Sequence, residues 1–171
     1  DGTTLDEVQE IVDLPKFDAR TQRNQFDPNA VQIPPIVVAQ LRQYVEAIAC
    51  MYRENPFHNF EHASHVTMSV SKLLSRIVAP DIELMEGDND DAAANLHDHT
   101  YGITSDPLTQ FAVVLSALIH DVDHVGLPNF LLINENKSLA AAYKNKSVAE
   151  QNSVDLAWST LMEPRFSDLR N

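Results

Sequence analysis

Apolar residues recur at three- and four-residue spacing between Ile36 and Arg53, at Val37, Leu41, Tyr44, Val45, Ile48 and Tyr52, and this period predicts an amphipathic helix. Asn55-Pro56 interrupts it. A second helix is expected from about Phe60 to Val78, with His62, Val66, Val70, Leu73 and Ile77 along its inward stripe. A third fits about Pro107 to Val122, with proline suited to the first turn and Phe111, Leu115, Leu118 and Ile119 on one side. Gly126, Pro128 and Asn129 mark a turn. Short helices then fit Phe130–Asn134 and Ser138–Tyr143, and a last one fits Ser147–Met162. Strand alternation is almost absent and no repeat occurs, so the pattern reads as all-α.

Two segments fall outside this pattern. Residues 1–35 are polar and proline-punctuated up to Pro34-Pro35, which predicts an extended N-terminal arm with short helical turns at most. Residues 80–106 predict a loop made acidic by Asp81, Glu83, Glu86, Asp88, Asp90 and Asp91, followed by His97, Asp98 and His99. Surface positions are the expectation for His97 and His99. Residues 36–171 then carry the helical domain, and a chain of 171 residues with 44% hydrophobic content can build its core. The chain opens on Asp1 with no apolar leader after it, which we read as a piece of a longer polypeptide with flanking domains.

Charge narrows the partners. A net charge of −13 argues against nucleic acid, because phosphate contacts need clustered Lys and Arg. It leaves room for a small phosphate substrate if divalent cations reverse the local field. No run of about 18 apolar residues exists to cross a membrane. The single cysteine, Cys50, excludes an intrachain disulfide and fits a reducing compartment; its place in a helical apolar pattern predicts a buried thiol.

The chemistry concentrates in histidines. His58 and His62, and again His120 and His124, stand four residues apart, a spacing at which two imidazoles on one helix face can converge. One histidine facing a core is ordinarily hydrogen-bonded structure. The stretch Ile119–Gly126 is different, because burying His120, Asp121, Asp123 and His124 together without a cation would leave several polar groups to satisfy at about 1–3 kcal/mol each. Imidazole and carboxylate suit Zn²⁺, Mn²⁺ or Fe²⁺, and carboxylates with waters suit Mg²⁺. An aspartate beside a ligand histidine, as Asp121 is, can give one oxygen to each of two ions.

NPFHNFEHASHV (Asn55–Val66) and IHDVDHVG (Ile119–Gly126) resemble the two metal-site signatures of the class I 3′,5′-cyclic-nucleotide phosphodiesterases. FLLINENKSLAAAYKNKSVAEQ (Phe130–Gln151) extends the resemblance, which runs from about Ile36 to the C-terminus. It implies an all-α catalytic domain of the HD type, intracellular, with two divalent ions, Zn²⁺ with Mg²⁺ or Mn²⁺, and a cyclic nucleotide, cAMP or cGMP, as substrate. By resemblance His58 matches the general acid that protonates the leaving 3′ oxygen. His62, His120 and Asp121 match ligands of the tighter metal, with Asp121 bridging to the second. His124 and Glu150 match residues that hold waters on the second metal, and Asn59 and Asp123 match supporting motif positions.

The match has departures. Phe57 stands where the family usually has tyrosine, His65 where it often has aspartate, and Asn152 and Ser153 where it has paired histidines. The family domain is about twice as long as the matching part, so this chain is expected to carry its amino-terminal half, incomplete at the C-terminal end. The last aspartate ligand and the purine clamp have no match after Glu150; Asp155 and Asp168 are carboxylates outside the expected context. Two functional readings follow. One is metal-dependent hydrolysis of a cyclic nucleotide to its 5′-monophosphate in signalling. The other is a non-catalytic metal-binding regulatory domain or an inactive fragment of such an enzyme.

Overall fold

The computed structural model describes residues 32–78, 95, 97–100, 102–104 and 106–171. The predicted arm up to residue 31 and the acidic positions 81–91 lie outside the described residues. Helices run over Pro35–Met51 (α1), Phe60–Val78 (α2), Pro107–Ile119 (α3), Asn129–Glu135 (α4), Lys137–Ala142 (α5) and Val148–Leu161 (α6). A 3₁₀ turn at Pro164–Phe166 leads into a last helical turn, Ser167–Arg170 (α7). There is no strand among the described residues, as the periodicity predicts.

Local chemistry sets the ends. Proline at the first turn of α1 has no N–H to leave unpaired. Asn59 caps α2, its Oδ1 accepting from the His62 backbone N–H at 2.9 Å. Asp106 caps α3 by accepting from the Thr109 hydroxyl at 2.6 Å and the Leu108 N–H at 3.0 Å. The Thr109 contact, with those backbone N–H groups, holds the Asp106 carboxyl below its ordinary value. That contribution is present above the ordinary carboxylate range and fades as pH falls through the lowered value.

The described residues fall into two compact units, one formed by Ile33–His65 with Leu118–Asn171 and the other drawn from Val66–Ala117. In the first, α1 packs against α6, the 3₁₀ turn and α7. Tyr44 and Ile48 of α1 are buried with Ala157 and Phe166; the Tyr44 hydroxyl donates to the Ala157 carbonyl at 3.0 Å, and the Tyr44 and Phe166 rings meet edge to face at 5.5 Å. Burial pushes the Tyr44 hydroxyl up to about 12, so it remains a donor. A second cluster joins Leu132, Ala140, Val148 and Ala149. Ser153, fully buried, donates toward the carbonyls of Val122 at 2.7 Å and Ala149 at 3.0 Å. Ser153→Ala should leave the Val122 carbonyl short of a partner and cost about 1–3 kcal/mol, read as a lower urea midpoint at unchanged slope.

Several expectations are corrected. The α3 helix stops at Ile119 rather than Val122. Leu73, read as inward-facing, is 58% exposed, and Phe111, placed on one side of the third helix with Leu115, Leu118 and Ile119, is 44% exposed. A periodic stripe names the face an element can bury, while burial itself requires a facing element. Cys50 is exposed, not buried, because α1 turns Gln40, Tyr44 and Ile48 inward. Gln40 is buried because it latches α7: its Nε2 donates to Asp168 at 2.6 Å and its Oε1 accepts from the Leu169 N–H at 2.9 Å. In the second unit His97 is buried rather than on the surface. The turn at Gly102 (φ +78°) closes over it, with the Gly102 N–H on the His97 carbonyl at 2.8 Å and the glycine Cα so near the ring that an added Cβ would lie 3.2 Å from it, a tight contact.

Candidate functional site

The candidate site lies within the first unit, where the loop before α2 meets the turn after α3. Neither histidine pair shares a helix. His58 precedes α2, which begins at Phe60, and His120 to Asp123 form a turn beyond the last residue of α3. The spacing of four therefore does not act through a helical face. Asp123 takes a left-handed conformation (φ +61°), and that reversal returns His124 toward His58.

Asp121 is the hub. It is 7% exposed, and its Oδ2 lies 2.8 Å from His58 Nδ1, 3.2 Å from His120 Nε2 and 3.8 Å from His62 Nε2. Two overlapping groups result, His62–His120–Asp121 and His58–Asp121–His124, each with ligand atoms within 4.8 Å of one another. The first is two imidazoles and a carboxylate, a donor set that fits Zn²⁺. The second shares Asp121, so one carboxylate faces both. His124 stacks on His58 with ring centroids 3.8 Å apart, and its Nδ1 accepts from the Gly126 N–H at 3.0 Å. Burial first, and then the neighbouring His58, lower the His124 pKa, against the opposing pull of Asp121 and Glu150.

The surroundings orient these rings. Tyr52 donates from its hydroxyl to the Leu118 carbonyl at 2.7 Å, and burial pushes that hydroxyl up to about 12 against the lowering effect of the Asp121 backbone N–H. Phe57, in the tyrosine position, rests its ring 5.0 Å from His58 and 4.4 Å from His62. Asn59 both caps α2 and donates to the Asn55 carbonyl at 2.8 Å. Glu150 is exposed in the first turn of α6, accepts from Asn129 at 2.9 Å, and belongs to neither group. His65 is exposed; Asn152 donates to Asp123 at 3.3 Å.

Sequence reasoning passed over Asn55, Arg53 and Tyr52. Asn55 reads as a helix breaker, yet its Oδ1 accepts from the N–H groups of Phe57 and His58, both at 3.1 Å, and its Nδ2 reaches the His124 carbonyl at 3.4 Å. An asparagine before proline and next to a histidine motif is the signal that could have found it. Gly126 is required opposite: at φ +82°, an added Cβ would stand 2.8 Å from Asn55 Nδ2. Gly126→Ala should therefore cost about 1–3 kcal/mol, measured by urea unfolding.

The scaffold is helical throughout its described elements and gathers histidines around one buried aspartate from the ends of two helices. The chain belongs to the 3′,5′-cyclic nucleotide phosphodiesterase family, whose sequence profile matches residues 57–171. It is 28% identical over 123 residues to a cGMP-specific 3′,5′-cGMP phosphodiesterase of Dictyostelium discoideum, a match covering 72% of this chain and 22% of that protein. It is also 28% identical over 155 residues to a probable 3′,5′-cyclic-AMP phosphodiesterase of Caenorhabditis elegans, covering 91% of this chain and 19% of that protein. The chain thus spans about a fifth of the length of these relatives. Its fold is similar to the crystal structure of the phosphodiesterase domain of a rhodopsin phosphodiesterase fusion protein from the choanoflagellate Salpingoeca rosetta, with TM-score 0.54 and 24% identity over 85% of this chain and 45% of that one. No helix among the described residues is long and apolar enough to cross a membrane.

Proposed function

We propose that this chain carries the metal-binding and proton-donating part of an active site that hydrolyses a 3′,5′-cyclic nucleotide to its 5′-monophosphate. The convergence of His58, His62 and His120 on one oxygen of Asp121 carries the reading. His62, His120 and Asp121 would hold the tighter cation, with nitrogen donors favouring Zn²⁺; Asp121 would share a second, Mg²⁺ or Mn²⁺, whose waters His124 and Glu150 would hold. Two such cations, when bound, activate water and neutralise the phosphate.

The protein's own contribution is a proton. Attack of water on phosphorus breaks the bond to the 3′ oxygen, and the departing alkoxide is a poor leaving group unless protonated. His58 is our candidate donor. Its Nδ1 faces the Asp121 carboxylate, which accepts the Nδ1 proton and leaves Nε2 as the nitrogen that would carry the transferable proton in the imidazolium form. Asn59 and Asn55 support this by fixing the loop that carries it.

The test is hydrolysis of cAMP and cGMP with Mg²⁺ or Mn²⁺, measured on this chain and on a longer polypeptide that adds sequence beyond Asn171. Turnover in either supports the enzyme. Stoichiometric metal binding with no turnover in either would favour the second reading, a metal-binding domain without catalysis, which the 45% coverage of the choanoflagellate domain keeps in view.

A further inference from the structure

Between the His58 loop and the turn after α3 lie two polar rungs. One is Asn55 Nδ2 to the His124 carbonyl at 3.4 Å. The other is an ion pair, Arg53 Nε to Asp123 Oδ1 at 2.7 Å, joining residues 70 apart in sequence. Asp123 is the residue whose left-handed backbone aims His124, a conformation for which glycine would be the unstrained choice. An aspartate there makes sense if its carboxylate is needed. Both its oxygens are engaged, Oδ1 by Arg53 and Oδ2 by Asn152 at 3.3 Å. A cavity of about 160 Å³ borders the rung and is lined in part by Arg53, Asp123, His124 and Asn152, so these side chains have space to turn once the rung is cut.

We propose that Arg53 is a positioning residue: through Asp123 it holds the 53–58 loop against the 120–126 turn, keeping the His58 and His124 rings stacked and His58 Nδ1 on Asp121. This rests on the reading of His58 as proton donor. The pair is exposed, 52% and 33% for the two side chains, so its contribution to overall stability is small. Its effect is on geometry, where a displacement of about 1 Å can cost about 10²-fold in rate.

The experiment compares the unsubstituted chain with Arg53→Ala, Arg53→Lys, Asp123→Ala and the double variant. Ring contacts between His58 and His124 are followed by NMR alongside turnover of cAMP and cGMP. Arg53→Ala is expected to lose the inter-ring contact and to lower kcat about 10- to 10²-fold with KM nearly unchanged, while its Tm moves by less than about 4 °C. Arg53→Lys should restore most of both, and the double variant should be no worse than the poorer single one, since the two side chains act as one unit. An inter-ring contact that persists in Arg53→Ala, or a kcat equal to that of the unsubstituted chain where that chain is active, overturns the inference. If the unsubstituted chain hydrolyses neither nucleotide, the proposed activity fails for this chain, and the ring contact still decides the rung.

Discussion

Asp121→Ala is expected to abolish both metal binding and turnover. Its Oδ2 is the point nearest all three of His58, His62 and His120, and the two candidate ligand groups have no other residue in common. Removing it breaks both groups at once and leaves the surviving imidazoles facing a gap that water fills. A supporting group behind a metal ligand already affects affinity by about 10- to 100-fold, and a shared ligand should exceed that. Loss of a single preorganised electrostatic contact typically costs about 10²–10³ in kcat, so turnover should fall by more than about 10³-fold. Calorimetric titration with Zn²⁺ and Mn²⁺ gives the first readout and cyclic-nucleotide hydrolysis the second. Circular dichroism verifies that the helices persist. Zn²⁺ affinity equal to that of the unsubstituted protein would remove Asp121 from the ligand set.

His58→Ala should separate the two properties. The His62–His120–Asp121 group is complete without it, so the tighter cation should still bind. Turnover of cAMP or cGMP should drop by about 10²–10⁴-fold, the range for loss of a positioned general acid. A diester whose leaving group is already acidic, such as bis-p-nitrophenyl phosphate, needs no proton on departure, so the defect should shrink with that substrate. An equal defect on both substrates would instead assign His58 a structural or ligand role. Because His58 also stacks on His124 at 3.8 Å, His58→Gln is the useful companion, keeping bulk and hydrogen bonding while deleting the transferable proton.

The two substitutions thus differ by design. One is expected to remove the cation and with it everything else. The other is expected to leave the cation in place and remove the donor.

Much of the scaffold was legible from periodicity. The second helix occupies Phe60–Val78 as expected, and α1, α4, α5 and α6 each lie within a residue or two of their predicted limits. Those ends depend on local signals: proline at a first turn, an asparagine or aspartate cap, an Asn-Pro break. The α3 terminus failed for a reason that is equally local. Val122 continues the apolar spacing of Leu115, Leu118 and Ile119, and it is indeed fully buried, but on a turn rather than a helix. A buried side chain satisfies the pattern whichever backbone delivers it. Nothing in the run Ile119–Val122 predicts that the chain will reverse at Asp123. The last segment, 164–170, was missed because only Phe166 and Leu169 are apolar there, too few to show a period; a buried glutamine on α1 does the docking.

The sequence by itself determined an all-α chain, the histidines and aspartates that carry the chemistry, and the family they resemble, because helix formation and residue type are local properties. The tertiary structure decided how those groups face one another. It places His58 and Asp121, 63 residues apart, at 2.8 Å, and it does so through a left-handed turn at Asp123, an asparagine at 55 that braces two backbones, and an arginine at 53 that no periodicity marks. Side-chain direction at a site follows the path of the backbone through its turns and the partners that fix those turns. Both are contacts between distant parts of the chain, and the spacing of residues along it does not contain them.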